Sequence, residues 1–200
     1  MNQKHISGLL AAAAVLLPIT LAAESPVDDP KPPAQTSVPA GHSMHGDAFN
    51  EGPRQKAYLM RGTGKVNFPI TTKVPEAQEF FNQGVGQLHG FWYFEAERTF
   101  RQVASLDPDC AIAYWGIARA NINNRKRSNE FVKKAVERKG YASRRETLWI
   151  DSWAKYVEDD KTEDKERRRQ LVRALEEIIF EFPDDVEAKA FLAFQTWDNN

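Results

Sequence analysis

Residues 76–121, EAQEFFNQGVGQLHGFWYFEAERTFRQVASLDPDCAIAYWGIARAN, constrain the fold of this chain more than any other stretch. Ala77, Phe80, Phe81, Gly84 and Leu88 recur at the period of about 3.6 residues that marks one face of a helix, and Tyr93, Ala96, Phe100 and Val103 do so again. Two helices with so short a break between them form an antiparallel hairpin. The small Gly84 and Ala96 are expected where the two backbones come closest. Pro108 ends the pair, because it disfavours helix at Asp107 and has no amide hydrogen to continue the ladder. Asp107 is then placed to cap a third helix with Pro108 at its first position. The pattern predicts an all-α architecture built from helix pairs.

The rest of the chain continues it. Residues 125–139 read as a fourth helix with Phe131, Val132, Ala135 and Val136 inward and Gly140 as its stop. Ser143-Arg-Arg-Glu146 has the spacing of a capping box and opens a fifth, with Leu148, Trp149, Ser152, Trp153 and Tyr156 on one face. A sixth covers residues 161–181, its stripe made by Leu171, Ala174, Leu175, Ile178 and Ile179. Phe182-Pro183-Asp184-Asp185 repeats the logic of Leu106-Asp107-Pro108-Asp109 and leads into a seventh, bearing Ala190, Leu192, Ala193, Phe194 and Trp197. That helix has no successor to cover it, so further repeats are expected beyond Asn200.

With Ala96 and Pro108 as anchors, Gly84, Phe100, Tyr114 and Ala118 fall on the small and large signature positions of a tetratricopeptide repeat, the helix-turn-helix unit of about 34 residues. The block resembles that family, with Gln83 where Leu is usual and Val103 where Ala is usual. More narrowly, it looks like a segment of exported bacterial repeat proteins of unassigned function. The resemblance implies an α-solenoid over residues 75–200, and a concave groove lined by outward positions of the first helix of each pair. Carried over position by position, the partner-binding residues are Phe81, Val85, His89, Trp115, Arg119 and Asn123. Phe81 with Val85 and Trp115 with Arg119 are equivalent i,i+4 pairs, an apolar strip with one cationic end suited to a protein or peptide.

Residues 1–23 read as a secretory signal: Lys4 supplies a basic start, residues 9–17 an apolar core too short to span a bilayer, and Ala22 and Ala23 a cleavage site. The expected destination is the periplasm or beyond, with no stable membrane insertion after cleavage. Residues 24–46 are a Pro-rich linker, and residues 47–74 an extended lead-in. In that lead-in Gly52-Pro53 opens a short helix carrying Ala57, Tyr58 and Leu59, Arg61-Gly-Thr-Gly64 breaks it, and residues 66–72 lie extended along the first hairpin, Pro69 excluding a helix.

The formal net charge is −1, which gives no basis for nucleic acid as a partner. Catalytic chemistry is sparse. After signal cleavage only His42, His45, His89 and Cys110 remain of the His and Cys residues, and there is no G-x-S-x-G, H-E-x-x-H, phosphate loop or C-x-x-C-H. Cys110 has no partner for an intramolecular disulfide. His42, Met44 and His45 form a candidate copper-ligating cluster, since imidazole and thioether suit that ion. The reading from sequence is a non-enzymatic, exported scaffold without a cofactor, binding a protein or peptide in its groove. The alternative is a periplasmic metal- or cofactor-binding protein using His42, Met44 and His45, and a third reading places an active site in sequence beyond Asn200.

Overall fold

The computed structural model describes residues 56–199, and within them the chain is all-helical. Seven α-helices follow one another among the described residues: α1 Pro75–His89, α2 Tyr93–Leu106, α3 Ala111–Ala120, α4 Arg125–Glu137, α5 Arg144–Glu158, α6 Asp164–Glu181 and α7 Val186–Asp198. Each packs on the next, and α3 also packs on both α1 and α5. The segments expected to be a signal and a linker, and the expected helix start at Gly52-Pro53, lie outside the described residues. Ala57, Tyr58 and Leu59 are not helical.

The helix starts show which local signals act. Ser143 closes the capping box of α5: its side chain accepts from the Glu146 amide, and the Glu146 carboxylate accepts from the Ser143 amide at 2.8 Å. Asn124 caps α4 through the Arg127 amide, and Asp185 caps α7 through the Ala188 amide. The expected cap at Asp107 does not form. Asp107 ends α2, Pro108 and Asp109 turn, and α3 starts at Ala111 behind Cys110. The Asp107 carboxylate instead accepts from Thr72 Oγ1 at 2.6 Å. Gly140 lies in a single 3-10 turn, Lys139–Tyr141, that follows α4.

Gly84 meets the Phe100 ring. A Cβ on Gly84 would stand 2.6 Å from the Phe100 ring, and one on Gly116 of α3 would collide with the same ring from another helix. Phe100 of α2 is therefore clamped between two helices that approach it without side chains. Other inward expectations shift by a fraction of a turn. Val136 is exposed, and α7 buries Glu187, Ala188, Phe191 and Gln195 while leaving Ala193 and Trp197 outside.

One ion pair is enclosed in the core. Glu97 of α2 binds Arg127 of α4 at 2.7 Å and Arg101 at 2.9 Å, and Asn121 donates to its second oxygen at 3.3 Å. Burial on this scale demands full hydrogen bonding, and the carboxylate receives it.

Candidate functional site

The face made by α1, α3 and α5 is where the sequence places a groove. It is occupied by the chain's own extended segment. The backbone of that segment pairs with side-chain amides of α1. Gln83 donates to Tyr58 O at 2.9 Å and accepts from the Met60 amide at 2.6 Å. Asn82 accepts from the Phe68 amide at 3.0 Å, while Gln78 donates to Phe68 O at 2.8 Å and accepts from the Ile70 amide at 2.9 Å. An extended backbone must satisfy its amides and carbonyls, and here a helix supplies the missing strand partner. Gln83, a departure from the repeat pattern, thus has a purpose. The turn at residues 61–64 uses Gly62 and Gly64 at positive φ and lays Thr63 O where a Cβ on Gly86 would be.

The segment ends on α5. Glu146 accepts from the Thr71 amide at 2.7 Å, and Arg145 donates to Pro69 O at 3.1 Å with its guanidinium over the Phe68 ring. Phe68 is fully buried, with ring centroids 5.0 Å from Phe81, 5.8 Å from Trp115 and 5.2 Å from Trp149. From the other side α7 brings Phe191 to 6.0 Å from Trp115 and 5.3 Å from Trp149. His89 Nε2 and Glu187 Oε2, 2.6 Å apart, join the end of α1 to the start of α7.

The six residues expected to bind a partner therefore part company. Phe81, Val85 and Trp115 are core residues, Phe81 packed on Phe68 and Trp115 on both Phe68 and Phe191, and their strip is no open groove. Arg119 is buried too, its guanidinium 4.0 Å from the Trp153 ring and 5.1 Å from Phe191. The repeat resemblance assigns outward positions but does not say what lands on them. His89 and Asn123 remain at the surface, beside a feature that the sequence analysis did not single out.

That feature is the α1–α2 turn. Helix α1 ends with the Phe91 amide on Leu88 O at 3.1 Å and the Trp92 amide on Gln87 O at 2.8 Å, the paired closure in which the penultimate residue is left-handed. Glycine is usual there, yet here Phe91 takes φ = 60°. Phe91 is 58% exposed, Trp92 is 56% exposed, and Phe94 is exposed beside them. With Tyr93 and Asn123 they line a surface pocket of about 450 Å³. The patch extends onto α7, where Phe194 lies 5.7 Å from Phe91 and Trp197 is 70% exposed. Burial raises the Tyr93 hydroxyl pKa, an effect opposed by the charge of Arg119.

His42, Met44 and His45 lie outside the described residues; among the described ones no group of three His, Cys, Asp or Glu side chains is placed to hold a metal. No helix among the described residues is long and apolar enough to cross a membrane. Compared with known proteins, the chain matches no family, no curated protein and no solved structure.

Proposed function

We propose that this chain is a tetratricopeptide-like α-solenoid, exported from the cytoplasm, that acts as a non-enzymatic scaffold and docks a protein partner on its aromatic turn edge. The observation that carries the reading is Phe91. A bulky side chain in the left-handed region costs roughly 1–2 kcal/mol relative to glycine, and Phe91 stays largely exposed, its ring touching only Tyr93 and Phe194 among the aromatic rings. Strain of this kind is held in place by the surrounding structure and clusters at functional sites. Trp92, Phe94, Phe194 and Trp197 surround it, and large aromatics of this type dominate protein interfaces. The groove strip at Phe81, Val85 and Trp115 serves the fold instead.

Site-specific photocrosslinking in the native compartment tests this. A photoreactive residue at position 92 or 197 is expected to capture one discrete partner, and Phe91→Gly to abolish that capture while the protein melts no lower than the parent. Capture of the same species from Lys133, on the exposed side of α4, or undiminished capture in Phe91→Gly, overturns the assignment.

A further inference from the structure

The polar groups of the aromatic edge are as informative as its rings. Trp92 and Asn123 are both exposed, and neither side chain is hydrogen-bonded to a described residue. The indole N–H is a donor only, and the Asn123 amide adds two further N–H groups. The anionic acceptors nearby are already engaged: Glu95 pairs with Arg98, and Asp198 with Arg168 at 2.6 Å. Asn124 Oδ1 accepts from the Arg127 amide at 3.0 Å. The edge is thus electrostatically one-sided, with exposed donors beside carboxylates that are already paired. Its rings run in a continuous row. Successive centroids lie 6.3 Å apart from Tyr93 to Phe91, 5.7 Å from Phe91 to Phe194 and 5.9 Å from Phe194 to Trp197.

We propose that this edge recognises a proline-rich segment of a partner protein in the polyproline II conformation. The inference rests on the reading of the edge as a docking surface and names the chemistry of what docks. Hydrogen bonding selects it first. A polyproline II chain has no internal hydrogen bonds, so its carbonyls are bare and suit the Trp92 and Asn123 donors. Proline has no N–H, so such a chain asks for few acceptors. A helix has spent its carbonyls on itself, and a β-strand brings an amide at each residue to an edge whose carboxylates are paired. The rings select it again, since the C–H bonds beside a proline nitrogen are polarised towards the electron-rich faces of Phe, Tyr and Trp. Length agrees. At 3.1 Å per residue about six residues in this form span the row, whereas six helical residues cover only about 9 Å.

The test titrates the isotope-labelled full chain with capped decaproline and, as the control, with a Gly-Ser peptide of equal length, read by NMR. The Trp92 indole and Asn123 side-chain amide resonances are expected to move saturably with decaproline and to stay in place with the control. Trp92→Phe keeps a ring but removes the N–H. Followed at Asn123, it should raise the half-saturating concentration about threefold or more, the worth of a neutral hydrogen bond. Trp92→Ala should abolish saturation. Tyr141→Ala removes a ring that is 62% exposed in the 3-10 turn after α4, and should change nothing. The proline chemistry is overturned by resonances that decaproline leaves unmoved, by an equal response to the Gly-Ser peptide, or by undiminished binding in Trp92→Ala. A cello-oligosaccharide that saturates the edge where decaproline does not also overturns it. The parent titration decides the matter even where a variant does not fold. A partner captured at position 197 while decaproline fails to bind sinks this inference alone. Saturation by decaproline without any captured partner upholds it and sinks the docking of a native partner.

Discussion

Three residues show how much one position carries. Phe100 fills the space between α1 and α3 only because Gly84 and Gly116 present bare backbone to its ring. Gly116→Ala is therefore expected to cost about 1–3 kcal/mol, the usual penalty of overpacking, read as a lower urea midpoint with unchanged slope. Cys110 sits at the start of α3, buried, and that burial pushes its thiol up to about 12. Since the thiolate is the reactive form, Cys110 should resist a thiol-specific reagent in the native state and react at the rate at which the fold opens. Labelling at the speed of a free thiol contradicts the burial. Phe91 points the other way, outward and strained, so Phe91→Gly is expected to raise stability by about 1 kcal/mol.

Between elements, hydrogen bonds decide more than propensity. The helix starts after Pro108 and Pro183 share one geometry, with the cap two residues beyond the proline: Cys110 before α3 and Asp185 before α7. Only the second has an oxygen to offer. Helix α1 acts as a surrogate strand, its amides at Gln78, Asn82 and Gln83 reading the backbone of the extended segment. Gln78→Ala is expected to speed hydrogen exchange at Ile70 while leaving the α6 amides protected, because the bond it removes is local. Between α2 and α4, Glu97→Gln removes the charge facing Arg127 and should cost roughly 3–5 kcal/mol, whereas replacing both residues by Met should recover most of it. Equal losses in the single and double variants are incompatible with the buried pair.

At the scale of the whole molecule, Asp185 joins parts distant in sequence. Its carboxylate caps α7 through the Ala188 amide at 3.0 Å, binds Arg145 of α5 at 2.8 Å and accepts from Trp149 Nε1 at 3.3 Å. Arg145 in turn holds the extended segment through Pro69 O. Asp185→Ala strips the cap and leaves a guanidinium and an indole short of an acceptor, so a loss of about 3 kcal/mol or more is expected in equilibrium denaturation. A loss confined to the ~1 kcal/mol of a cap alone shows that Asp185 acts only locally.

Much of this was legible in the residues. The helical period, the stops at Pro108 and Pro183, the caps at Ser143 and Asp185 and the extended run around Pro69 all act within a few residues of the chain, where steric and hydrogen-bonding rules are local. These suffice for seven helices in order. They do not say what covers a face. The repeat resemblance puts Trp115 and Phe81 at outward positions, and they became core because Phe68 and Phe191 arrive from opposite ends of the described chain. His89 meets Glu187 across 98 positions, and no spacing rule anticipates that. The same closure buries Arg119 among aromatic rings. Local sequence thus determined which segments are helices and where they end; only tertiary packing decided which apolar faces are interior, because burial is a property of distant pairs brought together by the collapse of the whole chain.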